Sequence, residues 1–387
     1  MEKIAFVCVN YGPEVLGGSQ YFTRLIAERL TFKYNVEILA SSSLYAKTWA
    51  NYYSEEPEVF NKVLIRRFDV DKERDENNRR ITALYLKDLY DDTYEDERIE
   101  SVGPNSPKLI NYIEEHANEY KVIIFVTYEY YHAIRGIPKV KDKSIFIPTA
   151  HDCTLIRKNL FKYLFNLPKA FVYLTDEEKQ LCNHLFHNHY IPSKVLGVGI
   201  DVPEIQDKND FKEKYNLDRY ILYLGRIEMG KGCQELFDFF LKYKKENANN
   251  LKLVIVGDGT LAVPESEDII KVGFVNEETK FKALASADFL VLPSKFESLS
   301  MVVLEAMSVR TPVIVSKDCA VLKGHCDKSN GGFYYGNYNE FAKILNFYPD
   351  HPNIYNELCI NAYKYVNDNY NWNKIISEYI ELIETFK

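Results

Sequence analysis

Short apolar runs alternate with amphipathic stretches along almost the whole chain. In the first half the runs fall at 3–9, 36–40, 63–68, 121–127, 144–148 and 170–174. Each has the length and apolar density of a strand buried on both faces. Between them Phe22, Leu25, Ile26, Arg29 and Leu30 recur at helical spacing, which predicts a helix over 19–33 with Ser19 able to cap its start. A second helix is predicted over 107–119, after "GPNSP". The second half repeats the scheme, with runs at 220–224, 251–256, 268–272, 288–292 and 312–315. Alternation of this kind predicts an α/β protein with parallel sheets covered by helices on both faces.

The series restarts near residue 200. The stretch 195–211, "VLGVGIDVPEIQDKNDF", loses periodicity and carries glycines, a proline and charges, so it is predicted as an interdomain linker. Two doubly wound domains result, 1–198 and 199–370, followed by a closing segment at 371–387. In such sheets ligands bind beyond the carboxyl ends of the strands. The charge-dense stretch 71–100 is expected to be a solvated insertion or loop.

Composition narrows the picture. A chain of 387 residues is too long for one ordinary core and fits two. The formal net charge of −8 argues against a general nucleic-acid binder, so no nucleic-acid partner is expected. Seven cysteines are scattered, with no C-x-x-C pair, which suggests neither a disulfide framework nor a zinc site and fits a reduced, cytoplasmic compartment. No apolar stretch approaches the roughly eighteen residues of a membrane span. The first apolar run is also too short for the core of a signal peptide.

The candidate chemistry lies in four loops of the second half. "YLGRIEMGKG" (223–232) places Gly225, Arg226 and Lys231 between a strand and a helix, suited to a diphosphate. Its bland alternative is a glycine turn with surface basic residues. "VGDGTL" (256–261) carries Gly257 in a second glycine turn that is not a dinucleotide fingerprint. "VGFVNEE" (272–278) sets Phe274 and Val275 just after a strand, where they could meet a planar base or simply pack. "FESLSMVVLEAM" (296–307) holds Glu297 in a loop and Glu305 inside the helix that the loop opens. Carboxylates so placed are either hydrogen-bonded structural groups or ligands for something polyhydroxylated.

Taken in order, "GRIEMGKG", "VGDG", "VGFV", "SADFLVLPS" and "FESLSMVVLEA" resemble the C-terminal half of a GT4 retaining glycosyltransferase of the GT-B fold, with its E-x7-E pattern at 297–305. In the first half, "NYGPEVLGGSQYFTRLIAERL" (10–30), "IPTAHDC" (147–153) and "YLTDEEKQLC" (173–182) are similar to the family's glycine loop, strand-end histidine and pre-linker segment. "YNWNKIISEYIELIE" (370–384) resembles its closing helix, which crosses back to the first domain. The resemblance implies two Rossmann-like domains whose sheets face a central cleft, the first on the acceptor side and the second binding a nucleotide sugar. It implies that Arg226 and Lys231 bind the donor diphosphate, Glu305 the ribose, and Glu297 the sugar hydroxyls. The backbone around Leu299, Ser300 and Met301 would face phosphate or sugar. Gly17 and Gly18 would let the backbone approach donor and acceptor, and His151 would hydrogen-bond the donor sugar. Asp152 would orient its loop or read the acceptor. No metal and no cofactor are expected, and UDP is favoured over GDP by family habit. Many relatives carry Phe–Gly where this chain has Leu299–Ser300, which leaves the donor sugar open.

The expected acceptor is a glycan or a lipid-linked glycan. Segment 139–169 carries seven Lys/Arg against two Asp, and within it Leu155, Leu160, Phe161, Leu164 and Phe165 interleave with basic residues. Residues 155–169 could therefore dock as a basic amphipathic helix on an anionic membrane surface, making the protein peripheral, or simply bury one apolar face. A nucleotide-sugar epimerase and a catalytically silent scaffold on the same fold are the competing readings. The E-x7-E loop speaks against the first, and the intact set of Arg226, Lys231, Glu297 and Glu305 against the second.

Overall fold

The computed structural model describes residues 1–15, 17–74, 76–87, 95–207 and 209–387. The chain forms two units, Met1–Val198 with Asn373–Lys387, and Gly199–Trp372.

The first unit is built on β1 (Lys3–Cys8), β2 (Asn35–Ser41), β3 (Glu58–Phe60), β4 (Val63–Phe68), β5 (Val122–Val126), β6 (Ser144–Ile147), β7 (Ala170–Tyr173) and β8 (Ser193–Val195). They form one sheet in the order β3-β4-β2-β1-β5-β6-β7-β8, parallel except where β3 meets β4. The predicted apolar runs become the interior strands. Ile4, Phe6, Ile38, Ile124 and Phe146 are fully buried, as two-sided helical cover requires.

The second unit holds β9 (Arg219–Leu224), β10 (Leu251–Val256), β11 (Ile269–Gly273), β12 (Phe289–Leu292), β13 (Val313–Ser316) and β14 (Gly332–Tyr335). Their order is β11-β10-β9-β12-β13-β14, with every pair parallel. Both sheets are doubly wound. In the first the direction of winding reverses between β1 and β5, in the second between β9 and β12. The loops leaving those strands therefore diverge and leave a crevice at the carboxyl edge of each sheet.

Three expectations are corrected. The helix at the start of the chain runs over Gly18–Leu30, with Gly17 at its N-cap, and Ser19 does not cap it. The Ser19 hydroxyl instead donates to the Gln20 side chain. The stretch 71–100 is not a loop throughout. Helices occupy Glu76–Leu86 and Glu95–Val102, and Ile81, Tyr85, Ile99 and Val102 are buried. Residues 75 and 88–94 lie outside the described residues. The boundary between the two units, Val198/Gly199, falls within the predicted linker, which begins at the last residue of β8 and overlaps the first two residues of a short helix, Asp210–Lys214; residue 208 lies outside the described residues. Finally, 155–169 is not one long amphipathic helix. It is a single turn at Leu155–Arg157 followed by a helix at Asn159–Leu164. Ile156, Phe161, Leu164 and Phe165 are buried in the core of their own unit, and Leu155 and Leu160 pack against it. The apolar face is thus already covered, and the exposed residues are Arg157, Asn159, Lys162, Tyr163 and Lys169. Among the described residues no helix is long and apolar enough to cross a membrane.

Candidate functional site

The second unit gathers the sequence-predicted residues at its switch point. After β9 the chain passes Gly225 and Arg226, makes a tight turn at Met229–Lys231, and enters the helix Cys233–Glu246 at Gly232. Gly232 has φ 75, and a Cβ there would lie 2.5 Å from the Pro293 carbonyl oxygen in the loop after β12. Only glycine lets these two loops close on each other. Gly257 is constrained in the same way. Its φ is 130, and a Cβ would come within 2.0 Å of the Gly225 carbonyl oxygen. The glycine turns noted in the sequence are therefore points where backbones touch.

This packing brings Lys231 and Glu297 together. Lys231 Nζ lies 2.8 Å from Glu297 Oε1, and both side chains are largely buried. Arg226 is held differently. The Tyr223 hydroxyl donates to its backbone carbonyl at 2.6 Å, while the guanidinium is 71% exposed and pairs with Glu228 at 3.3 Å. A fixed backbone with a solvated fork is free to turn towards an arriving anion.

The loop after β12 ends at Ser300, which has φ 65 and stands at the N-cap of the helix Met301–Ser308. Its side chain makes no capping bond, and its Oγ is buried without a hydrogen-bond partner. A buried hydroxyl without a partner at a helix N-terminus sits where backbone N–H groups and the helix dipole favour an anion. Leu299 beside it is buried, and its carbonyl accepts a hydrogen bond from His325 Nε2 at 2.7 Å. Glu305 lies one turn further into the helix and is buried. Its Oε1 is 2.8 Å from Lys280 Nζ. Burial pushes the Glu305 carboxyl up, and the Lys280 ammonium pulls it part of the way back. Burial acts to lower Lys280, but the Glu305 and Glu277 carboxylates outweigh it and hold the ammonium above its usual range. Phe274 is 76% exposed just beyond β11, with Val275 half-buried beside it.

In the first unit His151 lies three residues beyond Pro148, which follows β6, and is half-buried. Its neighbour Asp152 is exposed and pairs with Arg157. Cys153 Sγ lies 3.4 Å from the Tyr128 hydroxyl. Burial raises the Cys153 thiol, but hydrogen bonding with His151 and Tyr128 outweighs it and brings the group down to about 7. Gly17 and Gly18 lie where the chain enters its first helix, and Gly18 has open space on its Cβ side.

Three residues passed over in the sequence belong to these sites. Lys280 is the partner of Glu305, and its position on the inner face of the helix Glu277–Ser286 is not marked by any motif. His325 fixes the Leu299 carbonyl from 26 residues away. Glu178, within "TDEEKQ", is buried and accepts the backbone N–H groups of both Ala150 and Leu174. It thereby ties the His151 loop to the loop after β7. Burial pushes its carboxyl up to about 8, against the opposing pull of those two N–H groups.

Residues 203–365 match the model of the family described as glycosyl transferases group 1. An uncharacterized glycosyltransferase of Methanocaldococcus jannaschii is 28% identical over 228 residues, covering 53% of this chain and 57% of that protein. The alpha-monoglucosyldiacylglycerol synthase of Streptococcus pneumoniae is 25% identical over 217 residues, covering 49% and 48%. An N-acetylgalactosaminyltransferase of Campylobacter jejuni, named for a diphospho-undecaprenol acceptor, is 30% identical over 175 residues, covering 42% and 45%. The chain thus spans about half the length of these curated relatives. Among solved structures, sucrose-phosphate synthase from Thermosynechococcus elongatus superposes with a TM-score of 0.74 at 15% identity, covering 100% of this chain and 99% of that one. Anabaena Alr3699/HepE, in complex with UDP and glucose, gives 0.71 at 14% identity, with both chains covered in full at 100%. Residues 203–365 are thus similar to the glycosyl transferases group 1 family, and the chain as a whole has the fold of the GT-B glycosyltransferases.

Proposed function

We propose that the protein is a retaining, metal-independent glycosyltransferase of the GT4 type. In this reading it moves a sugar from a nucleotide-sugar donor, a UDP-sugar by preference, to a hydroxyl of a glycan or lipid-linked glycan. The observation that carries the reading is the cluster at the β9/β12 switch point. There Lys231 pairs with Glu297, the Arg226 guanidinium stands exposed on the loop after β9, and the loop after β12 ends at Ser300, whose buried hydroxyl has no partner at the N-cap of the helix Met301–Ser308.

Each residue then has a role that its surroundings permit. Lys231 and Arg226 neutralise the departing diphosphate, the part a divalent ion would otherwise play. Glu297 already touches Lys231, so a sugar hydroxyl and its phosphate could be read by adjacent groups one bond apart. Glu305 has one oxygen on Lys280 and offers the other to a ribose. Ser300 and the backbone from Leu299 to Met301 receive phosphate oxygens. Phe274 and Val275 lie against the base. The role of His151 stays as the resemblance gives it, hydrogen bonding to the donor sugar. The UDP preference is supported by the UDP in the Anabaena relative. The glycoconjugate acceptor is supported by the diacylglycerol and diphospho-undecaprenol in the names of two other relatives. A cytoplasmic site of action in cell-surface glycan synthesis fits both. The exposed lysines of 155–169 leave room for contact with anionic lipid.

The test is a nucleotide-release assay with UDP-, GDP- and ADP-sugars, followed by NMR of the anomeric configuration of any product. Release by the wild type, abolished in Glu297→Ala and giving an α-linked product from an α-linked donor, supports the reading. Release with inversion rules out the retaining assignment. No release with any donor and any acceptor hydroxyl offered would favour a silent scaffold.

A further inference from the structure

His325 is buried at the centre of a hydrogen-bonded chain that nothing in the proposed catalysis uses. Its Nε2 lies 2.7 Å from the Leu299 carbonyl oxygen and its Nδ1 3.0 Å from the Tyr365 hydroxyl. The Tyr365 hydroxyl lies 3.2 Å from that of Tyr370. The Tyr370 carbonyl in turn accepts the backbone N–H of Ile200 at 3.4 Å. One end of the chain fixes the polarity. A carbonyl can only accept, so Nε2 carries a proton and donates. In the neutral ring Nδ1 is then the acceptor, and it takes the Tyr365 O–H. The Tyr365 oxygen is left to accept from Tyr370.

The two ends of this chain are unlike. One end is the Leu299 carbonyl, immediately before Ser300, whose left-handed backbone opens the helix Met301–Ser308. The other end is where the polypeptide enters and leaves the second unit. Gly199 and Trp372 are its first and last residues. A Cβ on Gly199 would lie 2.3 Å from the Trp372 ring, so the entering and leaving segments touch. Ile200 and Tyr370 are next to them. A side-chain relay, buried at His325 and Tyr365 and half-buried at Tyr370, thus joins the helix mouth to the double crossing.

We propose that His325 and Tyr365 are positioning residues, which hold the Leu299–Ser300 turn in the shape that receives the donor and couple that shape to the crossing at residues 199–200 and 370–372. This rests on the assignment of the helix mouth as the donor site. It predicts that loosening the relay at its centre loosens both ends together. It also predicts weaker donor binding without loss of the cations that bind it.

The experiment uses the full chain and two subtle variants, Tyr365→Phe and Tyr370→Phe, each of which keeps its ring and loses a hydroxyl. Amide exchange of the ligand-free protein is read at Val303 and Leu304, which bond to the Ser300 carbonyl, and at Ile200. Loss of one net hydrogen bond should speed exchange about fivefold at both ends in Tyr365→Phe, and leave the amide of Leu253 in β10 unchanged. The UDP dissociation constant should rise by a similar factor, about fivefold, with little change in melting temperature. His325→Gln, which keeps a donor for the Leu299 carbonyl, should bind UDP more tightly than His325→Ala. Unchanged exchange at Val303 and Leu304 in Tyr365→Phe, or faster exchange throughout the unit, would overturn the relay. Unchanged UDP affinity in a variant whose turn has loosened would overturn the positioning role. Failure of the wild type to bind any nucleotide would refute the donor-site assignment instead, and the exchange data would still decide the relay.

Discussion

Lys280→Met isolates the energetics of the Glu305 site. In the folded protein the two charges are 2.8 Å apart, with side-chain exposures of 11% for Lys280 and 9% for Glu305. The other carboxylate on Lys280, Glu277, is well exposed and loses little when the ammonium goes. Glu305 is different, because removing its partner leaves a buried carboxylate without compensation. Breaking a buried pair on one side costs about 3–5 kcal/mol. The lower end is appropriate here, because the carboxyl can escape by taking a proton. For a unit of this size about 3 kcal/mol corresponds to a fall of roughly 6–12 °C in melting temperature.

The pH dependence follows from the direction of the shift. Burial already raises Glu305, and without Lys280 the rise is larger. An acid raised on folding favours the fold only while protonated. The deficit of the variant is therefore nearly absent below the unfolded value of about 4.3 and grows as pH rises above it. Calorimetry at about pH 4.5 and pH 7 would show it, and Lys280→Met/Glu305→Gln should recover most of the loss at pH 7. A single-variant melting temperature within about 2 °C of wild type at pH 7, or an equal loss at both pH values, would refute the reasoning.

Other predictions follow from single residues. Ser300→Gly should stabilise the ligand-free protein by about 1 kcal/mol, because φ 65 is strained for serine and easy for glycine. The same change should weaken nucleotide binding through loss of the hydroxyl, and a melt with a parallel UDP titration reads both. Glu178→Ala strips the acceptor from two buried N–H groups. It should cost about 3 kcal/mol in a thermal or denaturant melt, and a cost below about 1 kcal/mol would mean that those groups find other partners. Gly232→Ala should be strongly destabilising, because it demands a strained φ and drives a methyl into the Pro293 carbonyl. Far-ultraviolet circular dichroism on heating would show whether the switch-point loops tolerate it.

How far the sequence reveals the structure depends on what covers each element. The interior strands are legible because both faces are buried, so β5 and β10 fall on the apolar runs at 121–127 and 251–256. Of the four edge strands only β11 falls on a predicted run, at 268–272. β3, β8 and β14 are short and half exposed, and they carry no apolar run to find. In the helices at Glu76–Leu86 and Glu95–Val102 a sparse buried stripe is hidden by charge density. The basic segment at 155–169 misleads in the opposite direction, because interleaved apolar and basic residues look the same whether the apolar face meets lipid or the protein's own core.

Within the site, Arg226, Lys231, Glu297 and Glu305 stand out by motif. Their partners do not. Glu297 is 66 residues from Lys231, and Lys280 is 25 residues from Glu305, so neither pairing has a local signature. Ser300 is instructive, since the sequence marks it only as a departure from the glycine many relatives carry. The left-handed backbone explains why glycine suits that position and why a serine there costs stability.

The central claim, that the β9/β12 switch point binds a nucleotide diphosphate, is tested most directly by a thermal-shift titration of wild type and Lys231→Ala with UDP. At one hundred times its dissociation constant UDP should add about 2.7 kcal/mol of stability to the wild type. Lys231→Ala should need a much higher concentration for the same shift. If UDP, GDP and ADP at millimolar concentration all leave the wild type unmoved, or stabilise Lys231→Ala equally, the cluster around Lys231 and Ser300 is not the donor site.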